Sequence, residues 1–178
     1  PRKSLQMAAG QRILKGDRDL IRVLFICHGN ICRSPMAEFI FKDMISKRGI
    51  ADRFYVSSAA TSTEEIWNGI GNPVYPPARE ELAKHGISCK GKRAVQVQKE
   101  DYEKYDYILG MDQWNLRNML RIFKTDPQKK IRLLLDFCDS PGDIADPWYT
   151  GNFAVTYSDI VRGCKAFLQY LEKTGSIG

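Results

Sequence analysis

Cys27 and Arg33 stand six positions apart, and Ser34 follows directly. Five intervening residues let a loop curl until a thiol at its base and a guanidinium closing over it face one point. Loop amides and a helix N-terminus behind such a turn favour a thiolate, which is the nucleophilic form of cysteine. The planar guanidinium fork grips two oxygens of a phosphoryl group. A site that expels an aryloxide from phosphorus also needs a proton donor, because the departing oxyanion leaves slowly without one. Among 21 acidic residues, Asp146 is a candidate because it opens Asp146-Pro147-Trp148-Tyr149. The proline restricts the aspartate to extended conformations, and neighbouring aromatics can partly desolvate its carboxyl. Asp126-Pro127 offers the same dipeptide, and spacing alone leaves both open.

The elements around these residues explain how they would be held. Val23-Leu24-Phe25-Ile26 is an apolar, β-branched and aromatic run ending at Cys27, the pattern of a buried parallel strand. A Gly29-Asn30 turn leads to a helix expected over 34–48, with Ser34 at the N-cap, Pro35 at N1 and Glu38 in the first turn. A strand, loop and helix N-terminus in this order form an anion site. Met36, Ala37, Ile40, Phe41, Met44 and Ile45 mark the apolar face of that helix, and Gly49 its stop. Further strands are expected at 54–58, 107–111 and 131–135. Helices are expected at 77–85, 98–105, 113–123 (capped by Asp112) and 157–173, with loops at 61–76 and 136–153. Strands alternating with helices predict a single α/β domain, an open parallel sheet with helices on both faces and ligands at the carboxyl ends of its strands. Residues 1–19 carry no periodic pattern and read as a leader or expression-derived extension, leaving 20–178 as the domain.

The string Cys27-His28-Gly29-Asn30-Ile31-Cys32-Arg33-Ser34-Pro35 resembles the signature of the low-molecular-weight protein tyrosine phosphatases, of bacterial type. The resemblance begins near Ile21 and covers essentially everything after it. It implies a doubly wound, Rossmann-like sheet of four strands in the order 2-1-3-4. It implies metal-independent hydrolysis of protein phosphotyrosine through a phosphocysteine, with no cofactor and with inorganic phosphate as product. It selects Asp146 over Asp126 as general acid, because two aromatics follow the Asp-Pro some way before the last helix. Residues 27–34 would form the phosphate loop, with Asn30 bracing it and Ser34 hydrogen-bonded to the Cys27 sulfur as the leaving thiolate's support. Cys32 would be a redox partner able to form a reversible disulfide with Cys27. Trp67, Trp148 and Tyr149 are the candidate walls of a slot for a flat ring, and His28 a contact at its edge. The loop at 61–76 looks longer than its family counterpart.

Rival readings follow from the same residues. A protein arginine phosphatase on this fold tends to carry threonine where Ile31 stands, so Ile31 favours phosphotyrosine. An arsenate reductase needs two further redox cysteines, and Cys89 has no partner at short spacing. A non-hydrolytic phosphocysteine carrier or anion-binding module has no use for both Arg33 and Asp146. Hydrophobic content of 43% and charged content of 27% fit a soluble globular chain. No apolar run reaches membrane-span length. Five cysteines without zinc-type spacing argue against a disulfide framework or metal site, and only His28 and His85 are available as imidazole ligands. Reduced thiols without an export signal point to the cytoplasm, and relatives imply a monomer. Half of the net charge of +6 lies in residues 1–20, where five basic residues face Asp17 and Asp19. The remainder is a mildly basic body suited to anionic substrates rather than nucleic acid.

Overall fold

The computed structural model describes residues 20–178, and the expected leader at 1–19 lies outside the described residues. The element at the centre is β1 (Ile21–Cys27), paired in parallel with β2 (Phe54–Ala60) on one side and β5 (Tyr107–Gly110) on the other. Then β6 (Ile131–Leu133) pairs with β5, giving one parallel sheet in the order β2-β1-β5-β6. That is the expected 2-1-3-4 order once a small separate hairpin is set aside. In this hairpin β3 (Ile66–Trp67) pairs antiparallel with β4 (Ile70–Gly71).

Six helices complete the domain. They are α1 (Arg33–Lys47), α2 (Pro76–Lys84), α3 (Asp101–Lys104), α4 (Gln113–Phe123), α5 (Pro147–Thr150) and α6 (Phe153–Lys173). Side chains of β1 alternate between the two layers, as the pleat requires. Val23, Phe25 and Cys27 join the core formed with α1, α2 and α6. Leu24 and Ile26 join a second core with Tyr102, Met119 and Phe123 from α3 and α4. Both faces of the strand are therefore dry, which is why its sequence is apolar without alternation. Phe41 anchors the larger core, its ring 5.3–5.8 Å from those of Phe25, Phe54 and Phe167.

Several boundaries differ from expectation. The 61–76 segment contains the β3–β4 hairpin, turned by Asn68 (φ 50°) and Gly69 (φ 75°) in the left-handed region that such two-residue turns need. The fourth sheet strand stops at Leu133 and tightens into a 3-10 turn at Leu134–Phe137, while the 136–153 loop contains α5. The last helix starts at Phe153, capped by the Asn152 side chain on the Val155 N–H. Ser34 is not the N-cap of α1: the helix is entered at Arg33, Cys32 precedes it without a side-chain cap, and the Ser34 hydroxyl is spent elsewhere. Glu38 consequently lies beyond the first turn and does not serve the helix dipole. It is buried and ion-paired instead.

Candidate active site

Cys27 closes β1 at the carboxyl edge of the sheet, and residues 28–32 curl from it into α1. The curl needs a left-handed residue at Asn30 (φ 58°), a conformation asparagine tolerates better than most. The buried Asn30 side chain then fixes the loop from inside. Its amide nitrogen donates to Ser34 Oγ at 2.8 Å and to Ser58 Oγ at 3.0 Å, and its oxygen accepts the Val95 N–H at 3.1 Å. Every polar atom of the amide is used. Ser34 Oγ lies 2.9 Å from Cys27 Sγ, and the Asn30 N–H donates to the same sulfur at 3.3 Å. Because Ser34 Oγ already accepts from Asn30, its own proton is free to point at the sulfur.

The guanidinium of Arg33 is almost wholly buried at 3% exposure, so its charge must be matched locally. Asp112 Oδ2 accepts from Nη1 at 2.6 Å, the Ile144 carbonyl accepts from Nη1 at 2.9 Å, and Asp146 Oδ2 accepts from Nη2 at 3.3 Å. Burial works against the arginine charge, but Cys27 and then Asp112 and Asp146 outweigh it and hold the guanidinium firmly protonated. With Nη1 committed to Asp112 and Ile144, Nε and Nη2 remain as the edge able to meet two oxygens of an anion. Asp146 caps α5, taking the Trp148 N–H on Oδ1 at 3.0 Å, and this orients the carboxyl that touches Arg33.

These groups surround one cavity of about 210 Å³, lined by Cys27, Cys32, Arg33 and Asp146 together with His28, Gly29, Ile31, Trp148 and Tyr149. The rim also carries Glu64 and Glu65, with Glu64 2.9 Å from His28 Nε2. Trp148 packs on Tyr75, ring centroids 4.9 Å apart, whereas Tyr149 stands 85% exposed. Trp67 does not line the cavity: it sits on β3 at 78% exposure, so its expected place in the slot is corrected. The hairpin turns this residue outward and gives the rim to the two glutamates before it. Cys32 faces the cavity with its thiol pushed up to about 12, first by burial and then by the nearby Cys27 charge.

Three features escaped the sequence reading. Asp112 was identified only as a helix cap. It is that, accepting the Asn115 N–H on Oδ1 at 2.9 Å, but its other oxygen holds Arg33. Its position just after β5, beside the end of β1, was the available signal, since ligands gather at that edge. Glu64 and Glu65 had no signal beyond their charge. Behind the loop, Ser58 Oγ donates to the buried Glu38 Oε1 at 2.6 Å, and Glu38 is flanked by Lys42 at 2.5 Å and Lys92 at 3.4 Å. Residues 20 and more positions apart meet there, which no local pattern shows.

The model of the low molecular weight phosphotyrosine protein phosphatase family matches residues 22–176. A low molecular weight protein-tyrosine-phosphatase of Bacillus subtilis, YfkJ, is 38% identical over 156 residues, covering 86% of this chain and 97% of that protein. The mouse low molecular weight phosphotyrosine protein phosphatase is 39% identical over 154 residues, covering 83% and 93%. The crystal structure of the Bacillus YfkJ superposes with a TM-score of 0.82 at 39% identity, over 87% of this chain and 96% of that one.

Proposed function

The chain belongs to the low molecular weight phosphotyrosine protein phosphatase family, and we propose that it hydrolyses phosphotyrosine in proteins with Cys27, Arg33 and Asp146 as the reacting and charge-holding groups. One observation carries the assignment of residues. Cys27, Arg33 and Asp146 line a single pocket, with the Cys27 sulfur 2.9 Å from Ser34 Oγ and Asp146 3.3 Å from the guanidinium.

The incoming phosphoryl dianion meets the free edge of Arg33 and displaces the 3.3 Å contact from Asp146. That frees the carboxyl to face the leaving oxygen. The Cys27 thiolate attacks phosphorus in line, a P–S bond forms, the P–O bond to the tyrosine breaks, and Asp146 gives its proton to the phenolate oxygen. In the second step Asp146 takes a proton from water, the water oxygen bonds to phosphorus, and the P–S pair returns to Cys27. Ser34 steadies that departing thiolate through its hydroxyl proton. Arg33 and the loop amides hold the equatorial oxygens throughout, and this positioning is where most of the rate in phosphoryl transfer comes from. Asn30 keeps Ser34 and the loop in register, and Asp112 keeps Arg33 from swinging out. Trp148 and Tyr149 flank the bound ring, with His28 at its edge. Gly29 leaves room beside Glu65, whose Cγ would lie 3.2 Å from an added Cβ.

Cys32 is the proposed redox partner of Cys27. Residues 20–178 form the proposed catalytic domain. Cytoplasmic residence and a monomeric state belong to the same reading. Among the described residues no helix is long and apolar enough to cross a membrane, and no cluster of three or more His, Cys, Asp or Glu side chains is arranged to hold a metal ion.

The test is phosphate release from a phosphotyrosine peptide in excess EDTA. Wild type turns over and Cys27→Ser does not. Asp146→Asn loses about 10² to 10⁴ in kcat on phenyl phosphate. It loses far less on an ester whose leaving group departs without a proton. Turnover by Cys27→Ser, or an Asp146→Asn loss independent of the leaving group, overturns the assigned roles. A phosphoarginine peptide assayed beside it distinguishes the arginine phosphatase reading, which Ile31 in the loop disfavours.

A further inference from the structure

A second cavity, of about 490 Å³, opens between α2 and the turn at 86–92. Arg79, Lys90 and Lys92 line it, and no carboxylate does. The nearest acidic residue of α2 with a buried side chain, Glu81, is turned to Lys84 at 3.1 Å and His85 at 3.6 Å. The Arg79 and Lys90 side chains make no ion pair or hydrogen bond among the described residues. Val74, Ile87 and Cys89 add a buried apolar wall. Arg79 and Lys90 line the concavity without a counter-charge, and with Lys92, which is paired with Glu38, they form a field that attracts an anion.

Lys92 connects this cavity to the catalytic loop. Its side chain is only 11% exposed, and its ammonium donates to the Ser58 carbonyl at 2.9 Å and pairs with Glu38 at 3.4 Å. Burial pushes its pKa down, and Glu38 offsets only part of that. From Glu38 the chain runs through Ser58 Oγ and the Asn30 amide to Ser34, which touches the Cys27 sulfur.

We propose that this second cavity is an allosteric site for a small multivalent organic anion, which lowers turnover by drawing Lys92 away from Glu38 and Ser58. The inference rests on the reading of Cys27 as nucleophile held by that chain of hydrogen bonds. Arg79 and Lys90 supply the first attraction, and the apolar wall receives the carbon body of the ligand. When Lys92 turns to the ligand, Ser58 loses the contact on its carbonyl and Glu38 keeps only Lys42. Ser58 then holds Asn30 less firmly, and Ser34 drifts from the sulfur. The chemical step slows, while Arg33, still held by Asp112 and the Ile144 carbonyl, goes on binding the phosphoryl group.

Citrate is the probe, because a phosphoryl anion also enters the catalytic pocket. Turnover of p-nitrophenyl phosphate is followed against citrate in EDTA at constant ionic strength, for the full chain and for a double variant Arg79→Glu with Lys90→Glu. Both substituted side chains are exposed, and the variant's kcat and KM without citrate report that it is folded. The expected result for wild type is a saturable fall in kcat of about fivefold, the low end of coupling between sites, with KM unchanged. The double variant keeps its basal kcat and shows no fall. A citrate effect confined to KM, an equal fall in the variant, or no effect on wild type each overturn the proposal. Absence of basal turnover in wild type instead refutes the phosphatase reading beneath it.

Discussion

At the scale of single residues, two thiols share one pocket and are made unlike by their surroundings. Cys27 shares the pocket with Arg33 and has two hydrogen-bond partners on its sulfur. Cys32 is buried, and its thiol is pushed up to about 12 by that burial and by the charge of Cys27. At neutral pH Cys32 therefore keeps its proton and does not compete as the first target of peroxide, since the thiolate is the species oxidised. Oxidation of Cys27 to the sulfenic acid consumes one peroxide and releases hydroxide. It also removes the Cys27 charge, the second contribution after burial to holding the Cys32 proton. In the proposed redox role, Cys32 then attacks the sulfenic sulfur, and the disulfide forms with loss of water. The expected outcome is full recovery of activity by dithiothreitol in wild type after a peroxide pulse. Cys32→Ser fails to recover, with sulfinic or sulfonic acid at Cys27 by mass spectrometry. Equal recovery in both proteins rules out the protective role.

At the scale of elements, the β3–β4 hairpin and the 93–97 segment act together as a clamp on the loop that follows Cys27. An added Cβ on Gly71 would lie 1.8 Å from the Ala94 carbonyl oxygen, so β4 lies against that backbone only because residue 71 has no side chain. Arg93 donates to the Gly71 carbonyl at 2.9 Å, and the Ala94 N–H donates to Asn72 at 2.9 Å. One residue further on, the Val95 N–H donates to Asn30. Pushing β4 off this segment therefore reaches the loop that holds Cys27. Gly71→Ala should cost about 1 to 3 kcal/mol of stability, the usual range for a forced overlap. It should also lower kcat more than it raises KM. Denaturant unfolding and steady-state kinetics check both, and an unchanged unfolding midpoint refutes the clamp. Trp67, in the same hairpin, marks where local reading fell short. The resemblance offered its ring as a pocket wall, but the Asn68-Gly69 turn directs it to solvent.

At the scale of the whole molecule, burial keeps acidic protons in place that the unfolded chain would release. Burial pushes Cys164, packed on the α6 side of the larger core, well above its ordinary 9.0. Burial raises Cys32 from 9.0 and Tyr105 from 10.0, each to about 12. Above about pH 9 the unfolded chain binds fewer protons than the folded one, so stability falls as pH rises from there towards about 12. Below pH 9 this contribution is fully present. Lys92, with its pKa lowered by burial, works in the opposite sense below its ordinary 10.5. Each retained thiol proton contributes a slope of about 1.4 kcal/mol per pH unit. Urea unfolding at pH 8 and pH 10.5 should show a steeper loss for wild type than for Cys164→Ala. Parallel losses contradict the assignment of the retained proton to Cys164.

The alternation of strands and helices, the central strand buried on both faces and the turn that follows Cys27 were legible from the chain because each rests on residues close in sequence, while the strand order came from the resemblance. The apolar run into Cys27, the Gly29-Asn30 turn and the six-residue step to Arg33 encode them locally. The resemblance named Asp146, and the fold brings it to Arg33 across 113 positions. Tertiary structure alone decided the rest. Asp112 serves a guanidinium as well as a helix end because β5 lies beside β1. Ser34 serves the sulfur rather than the helix because the backbone already turns helical at Arg33. Glu38, Ser58 and Lys92 form one buried set because strand pairing and the 86–92 turn fold them together. Periodicity and capping report what a residue does for its own element. A contact between elements depends on the path of the whole chain, and a buried charge finds its partner only after that path is closed.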